Sequence, residues 1–336
     1  MFNIKILTLI LCNIHKWGNM DLTSIDRAIG NTPLAEITCT FNGELKKIYA
    51  KLEWYNLTGS IKDRIAYHIL KKSLTAGKYK FGQPIVEVTS GNTGISFSAI
   101  GNLLGSEVII LMPEWLSQER KNLIKSYGAK LNLISKQEGG FLKGLELANS
   151  FKGAFLPLQF ENEYNVEAHY LTTGKEMLET IVANNIKVNN FVAGVGTGGT
   201  LIGSAKRLKE NLKKIKIVAV EPKSSPTLKT GKKVGVHKIE GISDEFVPKI
   251  YQNQMVDKIC DVSDEDAVYF ARLLNSKLGL GVGISSGANF VACLKQKGNS
   301  ITVFSDDNKK YLSTYLMSAE GLKTSYNVNL LDLKIY

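Results

Sequence analysis

The stretch of the chain with the clearest chemical potential is residues 56–64, Asn-Leu-Thr-Gly-Ser-Ile-Lys-Asp-Arg, where turn-forming residues lead directly into an amphipathic helix. Ser60 is a good N-cap, so Lys62 is predicted in the first turn of that helix. The helix dipole is positive there, which disfavours a charged lysine and favours a neutral or covalently bound one. A Schiff-base lysine meets this condition. The alternative is a solvated lysine followed by a surface ion pair of Asp63 with Arg64.

A second polar turn, residues 89–94, reads Thr-Ser-Gly-Asn-Thr-Gly and lies between a strand predicted for 84–89 and a helix predicted for 95–104. Its glycines allow the backbone to approach a ligand closely, and its polar side chains surround a helix N-terminus, where anions bind. The turn therefore predicts a carboxylate site. The alternative is an ordinary capped loop.

A third turn, residues 194–200, reads Gly-Val-Gly-Thr-Gly-Gly-Thr and joins a strand predicted for 191–193 to a helix predicted for 201–212. Backbone N–H groups, threonine hydroxyls and the helix dipole converge at this turn. These groups favour a phosphate as its ligand.

The third turn also satisfies the GxGxxG pattern of dinucleotide-binding proteins, through Gly194, Gly196 and Gly199. Glu221 follows the next predicted strand, 215–220, about where such folds keep the acid that binds ribose. An NAD-dependent dehydrogenase is therefore an alternative function. Against it, the turn lies past the middle of the chain, and neither the Lys62 turn nor the 89–94 turn has a role in a dehydrogenase.

From residue 31 onward, short apolar runs alternate with amphipathic helical stretches, which is the pattern of βαβ units in a parallel sheet. Further strands are predicted at residues 48–52, 108–112 and 130–134, and a further helix at 117–127. The fold class is therefore α/β. A chain of 336 residues, 44% of them hydrophobic, is long enough for two domains.

The net charge of +11 raises a second alternative, a basic module that binds nucleic acid or a membrane surface. The lysines are scattered over predicted helix faces and loops, however, which favours solvated faces that attract small anions. The four cysteines form no CxxC pair and the four histidines no cluster with ligand spacing, so the sequence predicts reduced thiols and no metal site.

Residues 1–19 contain a short apolar run that imitates a signal peptide but lacks a small-residue cleavage site. The run is also too short to span a bilayer. We therefore expect an extension outside the core, arising from an upstream start-codon assignment, and a cytoplasmic protein.

Eight segments together carry a resemblance to a known family. They are residues 29–34, 51–53, 59–64, 89–94, 196–200, 237–242, 283–288 and 310–314. In this order they resemble the cysteine synthase and cystathionine β-synthase family of pyridoxal-phosphate enzymes, over nearly the full length of the chain.

The resemblance implies a role for each site residue. Lys62 would carry pyridoxal phosphate as an internal aldimine, Asn92 would bond the ring hydroxyl and Ser285 would meet the pyridine nitrogen. The residues implied for the cofactor phosphate are Gly196, Thr197, Gly198, Gly199 and Thr200, and those implied for the substrate α-carboxylate are Thr89, Ser90, Thr93 and Gln159. Ser90 is also assigned to catalysis.

The resemblance further implies two open, mostly parallel α/β sheet domains with helices on both faces and the cofactor in the cleft between them. The smaller domain would comprise residues 52–162, and the larger one residues 20–51 with 163–320. Residues 321–336 would form a C-terminal tail. A homodimer is the implied assembly.

The chain departs from its relatives after Gly241-Ile242. Cysteine synthases usually continue with Gly-x-Gly-Phe, whereas this chain has Ser243, Asp244 and Glu245 before Phe246. One interpretation is a rim loop with solvated acids. The other treats Asp244 as an acid/base, which assists water or a departing thiol by about 10²–10⁴-fold but gives little help to the strong nucleophile sulfide.

The implied reaction is β-replacement on a small L-amino acid through an aminoacrylate intermediate. Asp244 favours conversion of L-cysteine and water into L-serine and hydrogen sulfide. The alternative is a cysteine synthase, which makes L-cysteine and acetate from O-acetylserine and sulfide with the same cofactor residues.

Overall fold

The computed structural model describes residues 25–318 and 321–336. The extension predicted for residues 1–19 lies outside the described part of the chain. The strands are β1 (Leu34–Phe41), β2 (Glu44–Leu52), β3 (Ile85–Val88), β4 (Val108–Pro113), β5 (Lys130–Ile134), β6 (Asn190–Gly194), β7 (Lys216–Pro222), β8 (Lys258–Val262), β9 (Ser300–Phe304) and β10 (Val328–Ile335).

The helices surround these strands. They are α1 (Lys62–Thr75), α2 (Asn92–Leu103), α3 (Gln118–Ser126), α4 (Gly140–Ala148), α5 (Glu163–Leu171), α6 (Thr173–Ala183), α7 (Gly199–Asn211), α8 (Thr227–Thr230), α9 (Asp264–Leu278), α10 (Ile284–Leu294) and α11 (Tyr315–Ser318). Short 3₁₀ turns cover Glu53–Tyr55, Asn253–Met255 and Asn308–Tyr311. None of the helices in the described ranges combines the length and apolarity that a membrane span needs.

The strands form a seven-stranded sheet in the order β10-β1-β2-β9-β6-β7-β8 and a three-stranded sheet in the order β3-β4-β5. The small sheet is parallel throughout. In the large sheet, β1 runs antiparallel to both β2 and β10, and the other neighbours are parallel. The mostly parallel α/β class predicted from the sequence is confirmed, while the domain boundaries and the homodimer stay predictions.

The prediction of a C-terminal tail at residues 321–336 was wrong for its second half. Strand β10 pairs with β1 from Ala35–Ile335 to Phe41–Val328, so it forms an edge of the large sheet. Leu330 and Leu333 pack against the main apolar core of that sheet. Their burial explains why this segment joins the sheet, although it lies beyond the last recognisable motif.

The two glycine-containing turns lie at the carboxyl ends of parallel strands. The 89–94 turn follows β3, and the 194–200 turn leads from β6 into α7. In open α/β sheets, the crevice beyond the carboxyl ends of the strands is where ligands bind. The fold therefore presents both turns to a common crevice.

Helix α1 places Lys62 at its first position, as the sequence predicted, but the cap differs from the prediction. The cap residue is Ile61, which makes no side-chain cap hydrogen bond. Ser60 lies one residue earlier, and its hydroxyl accepts a hydrogen bond from Lys62 N at 3.3 Å. The helix thus begins one residue later than a Ser60 N-cap would require.

Asp63 and Arg64 are buried, so the alternative of a surface ion pair is excluded. Arg64 Nε bonds Glu53 Oε2 at 2.6 Å, and its Nη1 bonds Glu176 Oε1 at 2.6 Å. Lys51 Nζ also contacts Glu176, at 2.7 Å. These cations lower the pKa of Glu176 to about 2, although burial alone would raise it.

Replacement of Arg64 by leucine should lower the free energy of unfolding by about 3–5 kcal/mol, because it leaves the buried Glu53 and the mostly buried Glu176 carboxylates without their main partner. Urea denaturation of the purified protein measures this loss. Arg207→Leu is the matched control, since the Arg207 ion pair with Glu210 is partly exposed to solvent, and the variant should keep its midpoint near that of wild type. Equal midpoints for the two variants would contradict the expectation.

Candidate active site

Lys62 faces a cavity between the two glycine-containing turns. The cavity lining includes Ser90, Asn92, Gly196 and Thr197. Burial lowers the pKa of Lys62, and the nearby Asp306 and Asp244 carboxylates partly oppose this effect. A partly desolvated lysine with a lowered pKa is suited to nucleophilic attack on a carbonyl group.

The 194–200 turn forms a close-fitting cradle at the start of α7. A Cβ atom added at Gly196 would lie 2.5 Å from Gly241 O, and one added at Gly199 would overlap the side chain of Asn165. The Thr197 hydroxyl accepts hydrogen bonds from Asn165 Nδ2 at 3.0 Å and from Gly199 N at 3.3 Å. Only glycine fits at these two positions. Because glycine has no side chain, the backbone N–H groups of the turn stay open to an anion.

Asn92 and Ser285 line the same cavity as Lys62 from two different helices. Asn92 Nδ2 donates a hydrogen bond to Asp306 Oδ2 at 2.7 Å, which fixes the orientation of the amide. Tyr311 donates to the same carboxylate oxygen at 2.6 Å. Asn92 Oδ1 is buried and has no hydrogen-bond partner in the described part of the protein. It is therefore an acceptor available to a ligand hydroxyl.

These residues fit pyridoxal phosphate. The cradle at residues 196–200 suits its phosphate, the unpaired Asn92 oxygen suits its ring hydroxyl and Lys62 suits its aldehyde. Ser285, at the start of α10, can meet the ring nitrogen with a hydroxyl in place of a carboxylate. When bound, the cofactor supplies an electron sink that labilises bonds at Cα and Cβ of an amino acid.

Three of the four residues implied for the substrate carboxylate come together in the cavity, namely Ser90, Thr93 and Gln159. Thr93 Oγ1 donates to Gln159 Oε1 at 2.7 Å, and Gln159 Nε2 donates to Val88 O at 3.0 Å. Thr89 is buried and does not line the cavity. Its hydroxyl instead accepts a hydrogen bond from Gly91 N at 3.0 Å, within the turn. We therefore expect Thr89 to shape the turn, while the other three contact the substrate.

Asp244 lines the same cavity as Lys62 and Ser90. Burial raises the pKa of Asp244 to about 6, and Lys62 is the main group that opposes this rise. Glu245 instead turns to Lys233, with 2.6 Å between Oε1 and Nζ. The two neighbouring acids thus have different surroundings, and Asp244 is the one that lines the cavity together with Lys62.

Arg120 is a cavity residue that sequence reasoning missed. It is buried on α3, pairs with Glu240 and stacks on the ring of Tyr311 with its guanidinium carbon 4.4 Å from the ring centroid. Its Nε has no hydrogen-bond partner within the described ranges. A single arginine in a predicted surface helix gives no sequence signal, because its partners come from distant segments.

Glu221, the acid that suggested a dehydrogenase, has a structural role. It is fully buried at the end of β7, and its Oε2 accepts a hydrogen bond from Leu228 N at 2.7 Å. The carboxylate therefore holds the start of α8 and is not presented to a ribose.

Comparison with known proteins agrees with this geometry. The family model described as pyridoxal-phosphate dependent enzyme matches residues 25–304. A cysteine synthase of Staphylococcus aureus is 40% identical over 304 residues, which cover 88% of this chain and 97% of the relative. A probable cysteine synthase of Bacillus subtilis is 38% identical over 299 residues, covering 86% of this chain and 96% of the relative.

Solved structures give the same result. A hydrogen sulfide-producing enzyme from Fusobacterium nucleatum is 48% identical, with a TM-score of 0.89 and coverage of 94% of this chain and 98% of that one. A cysteine synthase from Entamoeba histolytica is 36% identical, with a TM-score of 0.80 and coverage of 89% and 92%. The chain therefore belongs to the pyridoxal-phosphate-dependent enzymes and, among them, to the cysteine synthase family of β-replacement enzymes.

Proposed function

We propose that this protein converts L-cysteine and water into L-serine and hydrogen sulfide, with Asp244 as the acid/base. The observation that carries the proposal is the position of Asp244 in the cavity that also contains Lys62 and Ser90. A carboxylate there would repel an entering hydrosulfide anion and can assist water. It therefore favours the breakdown of cysteine over its formation.

Five residues of the cavity have assigned tasks in this reaction. Ser90, Thr93 and Gln159 bind and orient the α-carboxylate. Lys62 holds the cofactor covalently and moves the proton at Cα. A pKa of about 6 lets Asp244 exchange protons near neutral pH, where general acid–base catalysis is most effective.

The proposed step is balanced through Asp244. Its carboxyl form protonates the sulfur as the Cβ–S bond breaks, and the resulting carboxylate accepts a proton from water as the Cβ–O bond forms. Asp244 is then protonated again, and the net change is L-cysteine plus water to L-serine plus hydrogen sulfide. No oxidant or reductant is needed.

One relative, solved in two forms, supports this version. The Fusobacterium nucleatum enzyme is named for hydrogen sulfide production, and an aspartate-to-asparagine mutant of it was solved in complex with an α-aminoacrylate intermediate. The alternative function, cysteine formation from O-acetylserine and sulfide, is favoured by the relatives named cysteine synthase.

Incubation of the purified holoenzyme with L-cysteine alone, in water enriched in ¹⁸O, separates these possibilities. The proposal expects sulfide and L-serine that carries ¹⁸O in its hydroxyl group. Little sulfide, together with fast cysteine formation from O-acetylserine, would instead favour the synthase. Pyruvate and ammonia in place of serine would refute the addition of water while leaving sulfide release intact.

A further inference from the structure

The residue before Asp244 adopts an unusual backbone conformation. Ser243 has a φ of +56°, in the left-handed region where glycine is the favoured residue, and it is only 6% exposed. A serine held in this conformation inside the protein must be fixed by its surroundings, and such residues cluster at functional sites.

Every polar group of Ser243 is hydrogen-bonded. Its N–H donates to Val195 O at 2.8 Å, and its carbonyl accepts from His237 Nε2 at 3.1 Å. Its hydroxyl donates to Ser225 O at 2.8 Å and lies 2.8 Å from Thr227 Oγ1. The hydroxyl thus connects the Asp244 loop to α8 and the segment that precedes it.

That segment is itself held in place. Glu221 Oε2, fully buried at the end of β7, accepts from Leu228 N in α8. Ser225 N donates to Pro222 O at 3.2 Å, and Thr227 Oγ1 also lies 3.5 Å from Asp244 O. A continuous series of contacts therefore runs from the large sheet to the backbone of Asp244.

We propose that Ser243 is a positioning residue whose hydroxyl, anchored through Thr227 and Glu221, holds the Asp244 carboxyl against the reacting atoms and so selects water addition over cysteine formation. The inference rests on the proposed function. Gly241, two residues before Ser243 in the same loop, is exposed and also has a positive φ, +91°. A misplacement of about 1 Å in a reacting group can cost 10²-fold in rate.

Ser243→Gly tests the proposal, because glycine keeps the left-handed backbone without strain and removes the hydroxymethyl side chain that makes the tether. We expect the kcat for sulfide release from L-cysteine to fall about tenfold, part of the loss that misplacement can cause. The KM for L-cysteine should stay near that of wild type. Cysteine formation from O-acetylserine and sulfide should be unchanged or faster, since it does not use Asp244.

The pH profile gives a second readout. The charged groups that face Asp244 are Lys62, Glu245 and Lys233, and burial is the main reason for its raised pKa. A loop without its tether exposes Asp244 to water, so the acidic midpoint of sulfide release should fall from about 6 towards the ordinary aspartate value. A merely structural role for Ser243 would not move this midpoint.

Two further variants keep the test decisive. Thr227→Val removes a partner of the Ser243 hydroxyl without changing the sequence of the loop, and it should show the effects expected of Ser243→Gly in milder form. It also tests the proposal if Ser243→Gly fails to fold. Thr230→Val is the matched control, because its hydroxyl lies on the same short helix and bonds Pro226 O and Lys232 O, away from Ser243. It should behave as wild type.

Wild-type sulfide release in both Ser243→Gly and Thr227→Val would overturn the inference. Equal losses in sulfide release and cysteine formation, accompanied by a lower melting temperature, would also overturn it, since the hydroxyl would then support only the fold. Asp244→Asn separates this failure from that of the proposed function. Slow sulfide release in Asp244→Asn with normal release in both Ser243→Gly and Thr227→Val refutes the inference alone, whereas normal release in Asp244→Asn refutes the proposed function.

Discussion

Replacement of Lys62 by alanine should abolish the yellow colour of the unreduced protein, remove the site to which borohydride reduction fixes the cofactor, and lower β-replacement activity by about 10⁴-fold or more, at the upper end of single-group acid–base effects. Lys62 is the lysine that lines the cavity between the two glycine-containing turns, and burial lowers its pKa. Without its amine, nothing at that position can hold the cofactor covalently or move the proton at Cα.

The measurement is mass spectrometry of the peptide that contains residue 62 after borohydride reduction, together with the absorbance of the unreduced protein. The control is Lys72→Ala, on the same helix but with its amine on the surface beside Glu167. Lys72→Ala should keep both colour and activity. Cofactor fixed to any other lysine of wild-type protein would contradict the assignment of Lys62.

The local parts of the site were accessible from the sequence. Strand β5 was predicted with the bounds it has, and Lys62 was placed correctly in the first turn of α1 because turn residues and apolar spacing act over a few positions. The glycines at 196 and 199 were also recognisable, as parts of a glycine-rich turn between a strand and a helix. The structure adds the reason for them, because their close contacts forbid a side chain.

The remaining parts depend on contacts between distant segments. Asp306, which orients Asn92, lies 214 positions away from it in the chain, and Arg120 meets Glu240 and Tyr311 from a separate helix. Strand β10 is explained by its pairing with β1, almost 300 positions earlier. No local pattern records such pairings, so these residues could be assigned only from the structure.

The orientation of the side chains in the Asp244 loop was likewise not predictable from the sequence. The sequence revealed two neighbouring acids, Asp244 and Glu245, in a loop where cysteine synthases usually have Gly-x-Gly-Phe, but it could not show which of them faces the cavity and which the solvent. The structure gives opposite answers for two neighbours, since Asp244 lines the cavity while Glu245 pairs with Lys233. The left-handed conformation of Ser243 is part of the local geometry that separates them.

Asp244→Asn should slow sulfide release from L-cysteine by about 10²–10⁴-fold, because asparagine keeps the size and polarity of the side chain but cannot exchange a proton. The long-wavelength absorbance that follows the addition of L-cysteine should persist in the variant. Where the addition of water limits turnover, the wild-type rate should fall as the pH drops below about 6, because an Asp244 carboxylate that takes up a proton from solvent after the sulfur departs can no longer accept one from the attacking water. The variant should lack this dependence.

Glu245→Gln is the control for Asp244→Asn, because it neutralises the adjacent acid while leaving Asp244 in place. The loss of the Glu245 charge should only lower the pKa of Asp244 a little, since Glu245 contributes to its rise. Sulfide release at pH 7 should therefore stay close to that of wild type. If both variants lost sulfide release equally, the loop as a whole would be responsible. If the wild-type protein released no sulfide from L-cysteine, and both it and Asp244→Asn formed cysteine from O-acetylserine at the same rate, the protein would be a synthase.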